Sequence, residues 1–476
     1  MKNVLLIAAE AAPLAKTGGL ADVVGTLPRY LRPLGFDCPI LMPCHSSIRR
    51  AYGDSLRHLC HFYISLGWRR KYVGLERLEL DGLTVYLLDN EDYFGGPVYR
   101  GGEAEIEQYA WFSRAVCEVL PQLPVRPQAL HVNDWHTALI PLLLKSQYLQ
   151  DWRGSLPSLL TIHNIAYQGL TGFPFLQDLL SLPDGFNSPA YVELHGAASF
   201  LAAGCRFCDR VNLVSPSNAR EVCTPEYGYG LEGVLSQRGE AVSGILNGLD
   251  CRVYDPALDP ALPVHFTAAS PGGKRSCKQA LVRELGLSLP PDAPLLGMVT
   301  RLTPQKGLDL VERILPWLMA QDLGLVILGT GDGDIEAWLR QAEWRYKGRL
   351  CSYLAYSDPV ARRIYAGSDF FLMPSRFEPC GLSQMIAMRY GSLPIVRETG
   401  GLRDTVRPYN QFTGEGNGFS FAHYDGGELA DAVKLALSVY HNRPVLDKLI
   451  GQAMAEDFSF TAPARSYGEI YAGLIN

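Results

Sequence analysis

The chain has 476 residues, of which 47% are hydrophobic and 19% charged, and its formal net charge is −6. At about 150 residues per domain this bounds two or three domains of ordinary globular composition. The negative balance excludes a basic field for nucleic acid or an anionic membrane, so a phosphate ligand has to be held by locally placed cations. The 11 cysteines are odd in number and lack framework spacing, which predicts reduced thiols in a cytoplasmic protein rather than a disulfide scaffold.

The first apolar run, Val4–Ala8, stops at Glu10. That is too short for the core of a signal peptide and reads as a first β-strand. Further buried strands are expected at Cys38–Met42, Thr84–Leu88, Ala129–Val132, Leu159–Ile162 and Val211–Val214, with helical patterns at Leu20–Leu31, Ile106–Leu120 and Thr137–Leu149. The apolar segment Ser199 to Val211 reads as a buried helix. Its Cys205 and Cys208 are then two small core residues rather than half of a zinc site.

Residues Asp250 to Ala269 are rich in Pro, Asp and Ala and interrupt the alternation. A helix near Lys274–Leu285 precedes a second set of strands at Leu295–Val299, Leu325–Leu328, Cys351–Leu354, Phe370–Met373 and Pro394–Val396. Helical patterns at Gly307–Ala320, Asp334–Arg345 and Leu382–Tyr390 connect them. Repeated strand, helix, strand predicts an α/β fold with two doubly wound, Rossmann-like domains and parallel sheets. The junction falls near Asn247 to Asp255. Ligands of such sheets sit outside the carboxyl ends of the strands, and the cleft between two such domains is the expected active site. No run approaches about 18 apolar residues, so no membrane span is expected.

The motifs of interest follow predicted strands. Lys16-Thr17-Gly18-Gly19-Leu20-Ala21-Asp22 opens the first helix. Glycines let a backbone approach an anion, and a helix start offers N–H groups and a positive dipole end. A plain strand-to-helix turn with a solvated lysine is the alternative. Arg301 and Lys306 flank a proline-containing turn at the matching place in the second half, where both could face one diphosphate or simply be surface cations. Gly329 to Asp334 lacks the glycine that a dinucleotide fingerprint needs and reads as a tight turn. Polar residues end two strands in His131-Val132-Asn133-Asp134-Trp135-His136 and Thr161-Ile162-His163-Asn164. They suit a polyhydroxyl ligand, or else Asn133 or Asp134 caps the next helix. In Ser375 to Leu382, Glu378 is expected near a helix N-terminus, as a sugar-hydroxyl acceptor or a capping carboxylate.

Taken together, these pieces resemble bacterial glycogen synthases and plant starch synthases. The resemblance rests on the loop at residues 16–23, His131 to His136, His163 to Gly169, Leu246-Asn247-Gly248, Arg301 to Gly307, Ser375 to Leu382, Thr399-Gly400-Gly401-Leu402 and Asp457-Phe458-Ser459, spanning essentially the whole chain. It implies a GT-B fold. An N-terminal domain would cover 1–246, a nucleotide-sugar domain 247–456, and a C-terminal helix at 457–476 would cross back to the first domain. It implies transfer of glucose from ADP-glucose to the non-reducing end of an α-1,4-glucan such as glycogen, with retention and with neither metal nor pyridoxal phosphate.

Carried over by motif, Lys16, Arg301 and Lys306 would contact the phosphates. Asp134, His163, Asn247 and Glu378 would surround the glucose, and Tyr99 and Tyr356 would lie near the nucleotide. Gly18 and Gly19 would give the backbone approach, and Asp22, Asn164, Cys380, Gly381 and Leu382 complete the expected substrate-binding set. Ala202 stands where relatives usually carry Lys, and Tyr254 and Phe460 stand where Trp is commoner. The competing readings are a GT-B enzyme using UDP-glucose or another acceptor, a phosphorylase needing pyridoxal phosphate, an inactive glucan-binding homologue and, weakest, an NAD oxidoreductase.

Overall fold

The computed structural model describes residues 1–476. The chain divides into two compact units, one comprising Met1–Gly248 with Phe460–Asn476 and the other Leu249–Ser459.

The first unit is built on a ten-stranded sheet. Its strands are β1 (Lys2–Ile7), β2 (Ile40–Pro43), β3 (Arg57–Leu66), β4 (Arg69–Leu80), β5 (Leu83–Asp89), β6 (Ala129–Asn133), β7 (Ser158–Ile162), β8 (Arg210–Leu213) and β9 (Val242–Gly244). They lie in the order β9-β8-β7-β6-β1-β2-β5-β4-β3, with Phe36–Asp37 pairing against β1. Alternate residues of β1 enter two different cores: Leu5 and Ile7 pack in one, Val4 and Leu6 in the other. Both faces are covered, which is why the strand reads as a continuous apolar run. Helices α1 (Gly19–Leu31), α2 (Gly102–Val119), α3 (Leu139–Gln147) and α4 (Phe200–Phe207) supply much of that cover. Cys205 and Cys208 are buried free thiols at the end of α4, and Ala202 is fully buried within it.

The sheet is mixed rather than parallel throughout. β3, β4 and β5 form an antiparallel meander at one edge. Asp81 and Gly82, at φ 49° and 76°, make the tight turn between β4 and β5, the Asp-Gly pairing a two-residue hairpin favours.

The second unit carries six strands: β10 (Leu295–Val299), β11 (Gly324–Leu328), β12 (Leu350–Tyr353), β13 (Phe370–Met373), β14 (Leu393–Arg397) and β15 (Phe419–Phe421). All neighbours are parallel, in the order β12-β11-β10-β13-β14-β15. Connections therefore leave β10 in one direction and arrive at β13 on its other side. That reversal opens a crevice at the carboxyl ends of β10 and β13. The helices α5 (Leu308–Leu318), α6 (Ser383–Arg389) and α7 (Gly400–Thr405) follow β10, β13 and β14 in the chain. A buried cation anchors this unit: Lys274 Nζ donates to the carbonyls of Ala366, Ser368 and Tyr390 at 3.0, 2.8 and 2.9 Å.

The last helix, α8 (Thr461–Ile475), packs on the first unit, placing Phe460, Tyr467 and Tyr471 in its core. The Tyr471 hydroxyl meets His131 Nδ1 at 2.7 Å, and Tyr467 accepts from Asn212 Nδ2 at 3.0 Å. No helix is long and apolar enough to cross a membrane.

Candidate functional site

In the first unit the strand order also reverses at β1 and β6, and the polar segments after these strands lie at that switch. The Lys16–Gly19 loop joins β1 to α1. Gly18 precedes the helix in an extended conformation, and Gly19 is its first residue. Lys16 Nζ pairs with Asp22 Oδ1 at 2.7 Å. Beneath the loop lies Glu10, only 2% exposed. Its Oε2 accepts the Thr17 N–H at 2.6 Å, and the Thr17 hydroxyl and Gly18 N–H also bond to this carboxyl. Burial pushes Glu10 up to about 7 against those bonds. The loop N–H groups of Thr17 and Gly18 are thus taken by a protein carboxyl, which leaves Lys16 and the next turn of α1 for an external anion.

After β6, Asp134 adopts φ 55°. It caps no helix, since α3 begins at Leu139. Its Oδ1 instead accepts the backbone N–H groups of His163 and Asn164, at 2.7 and 3.3 Å. Burial raises Asp134 to about 7, against the pull of the two N–H bonds. Asn133 Nδ2 donates to the Ile7 carbonyl at 3.1 Å, which turns Oδ1 toward His163 Nε2 at 3.0 Å. Loss of solvent holds the His163 imidazole well below its usual value. A neutral ring that donates Nε2–H to Asn133 keeps Nδ1 as an acceptor. Asn164 Oδ1 closes a turn on the Ala166 N–H at 3.1 Å. Tyr99 packs at a tilt against His136 with ring centroids 4.9 Å apart, and burial followed by the nearby Glu10 pushes its hydroxyl above the usual range. Asn247 is buried with its Oδ1 unpartnered, an acceptor left open for a ligand.

In the second unit, Arg301 follows β10 and is exposed. Lys306, five residues on, is ion-paired to Glu378 Oε2 at 2.7 Å, the two side chains being 14% and 9% exposed. The Ser375 hydroxyl donates to the same oxygen at 3.0 Å. Glu378 is not in the first turn of a helix: α6 starts at Ser383, beyond Cys380, Gly381 and Leu382. Lys306 and Ser375, rather than a helix dipole, are the groups that hold this carboxylate.

The loops after β10 and β13 are laced together. Arg376 N–H donates to the Gln305 carbonyl at 2.8 Å, and Gln305 Nε2 to the Phe377 carbonyl at 3.1 Å. A Cβ on Gly401 would lie 2.1 Å from the Cys380 carbonyl oxygen, so the start of α7 presses directly on the loop. Gln384 Nε2 donates to the carbonyls of Cys380 and Gly381 at 3.1 and 2.9 Å, with Gly381 at φ 74°. Tyr356 stands apart, 77% exposed after β12. Gly329 to Asp334 is a turn in which Asp332 caps the next helix.

Two contributors escaped the sequence reading. Glu10 looked only like the end of an apolar run, although a carboxylate closing a buried strand is itself a signal. Gln384 looked like an ordinary helical residue, because its donation to the Cys380 and Gly381 carbonyls exists only after the loop folds. No group of three or more His, Cys, Asp or Glu side chains could hold a metal ion.

Residues 3–237 match the family model described as starch synthase catalytic domain, and residues 286–450 match glycosyl transferases group 1. Glycogen synthase of Caldicellulosiruptor bescii is 46% identical over 476 residues, covering 100% of both chains. That of Geobacillus stearothermophilus is 42% identical, covering 99% of this chain and 98% of its own. Among solved structures, the catalytic domain of starch synthase IV from Arabidopsis thaliana, bound to ADP and acarbose, superposes with a TM-score of 0.91 at 32% identity, covering 100% of this chain and 99% of that one. Sucrose-phosphate synthase from Thermosynechococcus elongatus shares the fold at a TM-score of 0.63 and 17% identity, covering 100% and 99%.

Proposed function

The chain belongs to the glycogen synthase family of GT-B glycosyltransferases, and from that premise we propose that it takes ADP-glucose as donor and extends an α-1,4-glucan with retention at the anomeric carbon, in the cytoplasm. The observation that carries the reading is the Lys306–Glu378 pair at the carboxyl ends of β10 and β13. It sets a cation and a carboxylate side by side where a doubly wound sheet receives nucleotide ligands.

When ADP departs, negative charge develops on a phosphate oxygen. A fixed cation in a water-poor site stabilises that charge at roughly 3 kcal/mol for a well-placed donor. Lys306 and the unpaired Arg301 take this role on the second unit. Glu378 accepts from the glucose hydroxyls. Asp134, His163 and Asn247 present acceptors to the sugar, His163 through Nδ1 and Asn247 through its open Oδ1. Tyr356 lies near the nucleotide. No step in this account requires a metal or pyridoxal phosphate. The leaving phosphate itself takes the proton of the attacking 4-hydroxyl on the same face.

The direct test is incubation with glycogen and either ADP-glucose or UDP-glucose, reading released nucleotide. Faster release of ADP is expected; equal or faster release of UDP would overturn the donor assignment. A second expectation concerns the loop. In Gly401→Ala the new Cβ collides with the Cys380 carbonyl and must move the Glu378 segment. A displacement of about 1 Å costs roughly 100-fold in rate, so kcat should fall at least about tenfold while the fold persists by circular dichroism. An unchanged kcat would mean that the loop geometry is not limiting.

A further inference from the structure

The geometry points to Glu10 as the positioning residue of the Lys16–Gly19 loop, holding that loop through Thr17 and Gly18 so that Lys16 and the start of α1 face the donor diphosphate. This rests on the reading of the loop as a phosphate contact. Glu10 is almost wholly buried, yet no cation touches it. Its hydrogen-bond donors all come from the loop: the Thr17 N–H at 2.6 Å, the Thr17 hydroxyl and the Gly18 N–H. α1 itself has no side-chain cap, and Glu10 takes the Thr17 and Gly18 N–H groups that precede it rather than those of its first turn. A Cβ on Gly18 would sit 3.8 Å from Glu10 Oε1, so the carboxyl also lines the floor under the glycines.

The groups facing Glu10 are Asp22 of α1, paired with Lys16, together with Asp134 after β6 and the Tyr99 hydroxyl. Two of these, Asp22 and Asp134, are carboxyls that carry or can carry negative charge. A buried carboxyl among them changes protonation near neutrality, and an arriving diphosphate favours its protonated form. Because the loop bonds weaken on protonation but persist, Glu10 couples donor affinity to pH without leaving its place. A residue that merely filled space would not do this.

The test measures the donor KM, kcat and ADP affinity of the wild type, Glu10→Gln and Glu10→Ala from pH 6 to pH 8. The wild-type KM is expected to rise about fivefold over that range, the order of one unit charge acting across a few ångström in solvent. Glu10→Gln, which retains an acceptor for Thr17 N–H, should flatten that rise while keeping kcat within about twofold at pH 6. Glu10→Ala frees the loop and should raise KM about tenfold at every pH. Asp134 titrates in the same range, so the Gln variant is the deciding one. A Gln variant with the wild-type KM profile would overturn the proposal, whether or not the Ala variant folds. If the wild type releases no ADP from ADP-glucose, the donor reading fails instead. Amide hydrogen exchange then decides the positioning role: Thr17 should be protected in the wild type and in Glu10→Gln, with a pH dependence at neutrality only in the former, and identical exchange profiles would refute it.

Discussion

Replacing Lys306 with alanine is expected to lower kcat by about 10²- to 10³-fold, the loss that follows removal of one preorganised partner of a developing oxyanion. Two effects act together. On the proposed reading, the leaving phosphate loses one of the two cations that follow β10, Lys306 and Arg301. Glu378 loses its 2.7 Å partner and keeps only the Ser375 hydroxyl. A carboxylate 9% exposed and stripped of its cation is strongly disfavoured, so its segment is expected to shift and to accept sugar hydroxyls less well. The two residues should therefore behave as one unit. In a double-mutant cycle with Glu378→Gln, the combined variant should be much less impaired than the sum of the single losses. Lys306→Arg should not restore the rate, because a planar fork cannot replace a compact ammonium already seated against one carboxylate oxygen. Steady-state release of ADP checks all three variants. A fall of less than threefold in Lys306→Ala would remove Lys306 from the chemistry, and strict additivity would separate it from Glu378.

What could be read before the structure depended on how completely a segment is buried. β1, β6, β7 and β10 to β14 announce themselves because both faces of a parallel strand meet helices, which leaves unbroken apolar runs. β3 and β4 do not. Their exposed edge face carries Arg57, His58, His61 and Arg70, and only alternate residues such as Ile64 and Leu66 turn inward. The Asp81-Gly82 turn was the available clue. The site divides in the same way. Strand ends predicted where Lys16, Asp134, His163, Arg301 and Lys306 would lie, because topology alone fixes which chain ends meet ligand. Partnerships were not legible. Asp134 was expected at the sugar with helix capping as the alternative, and only its positive φ swings the carboxyl back onto the His163 and Asn164 N–H groups. Glu378 was expected near a helix N-terminus, and only the lacing of residues 305 and 376 brings Lys306 to it. Such pairings come from turns, where local sequence carries the least information about direction.

Tyr471→Ala is expected to destabilise the first unit by about 3–5 kcal/mol, the cost of emptying a fully buried aromatic site, or roughly 10 °C in melting temperature for a unit of this size. The side chain packs edge-on against Phe36 at 5.6 Å and supplies the only partner of His131 Nδ1, while Thr161 Oγ1 meets Nε2 at 2.7 Å. Tyr471→Phe keeps the ring but strands one buried nitrogen, at about 1–2 kcal/mol. The pH dependence separates packing from polarity. Burial holds His131 down to about 3, below its unfolded value near 6.5. Its contribution is therefore fully present above pH about 6.5 and declines as the pH falls toward 3, where unfolding takes up a proton. Opening the cavity in Tyr471→Ala admits water to the ring, and the folded value climbs back toward 6.5. The variant should then lose less stability on acidification than the wild type, so the penalty measured at pH 5 should be smaller than at pH 7. Glu10 and Asp134 act in the opposite direction over the same range but are unchanged by the substitution, so they cancel in the difference. Thermal melts of both proteins at the two pH values decide the matter. Equal penalties would show that α8 holds the first unit through packing alone, with His131 indifferent to what covers it.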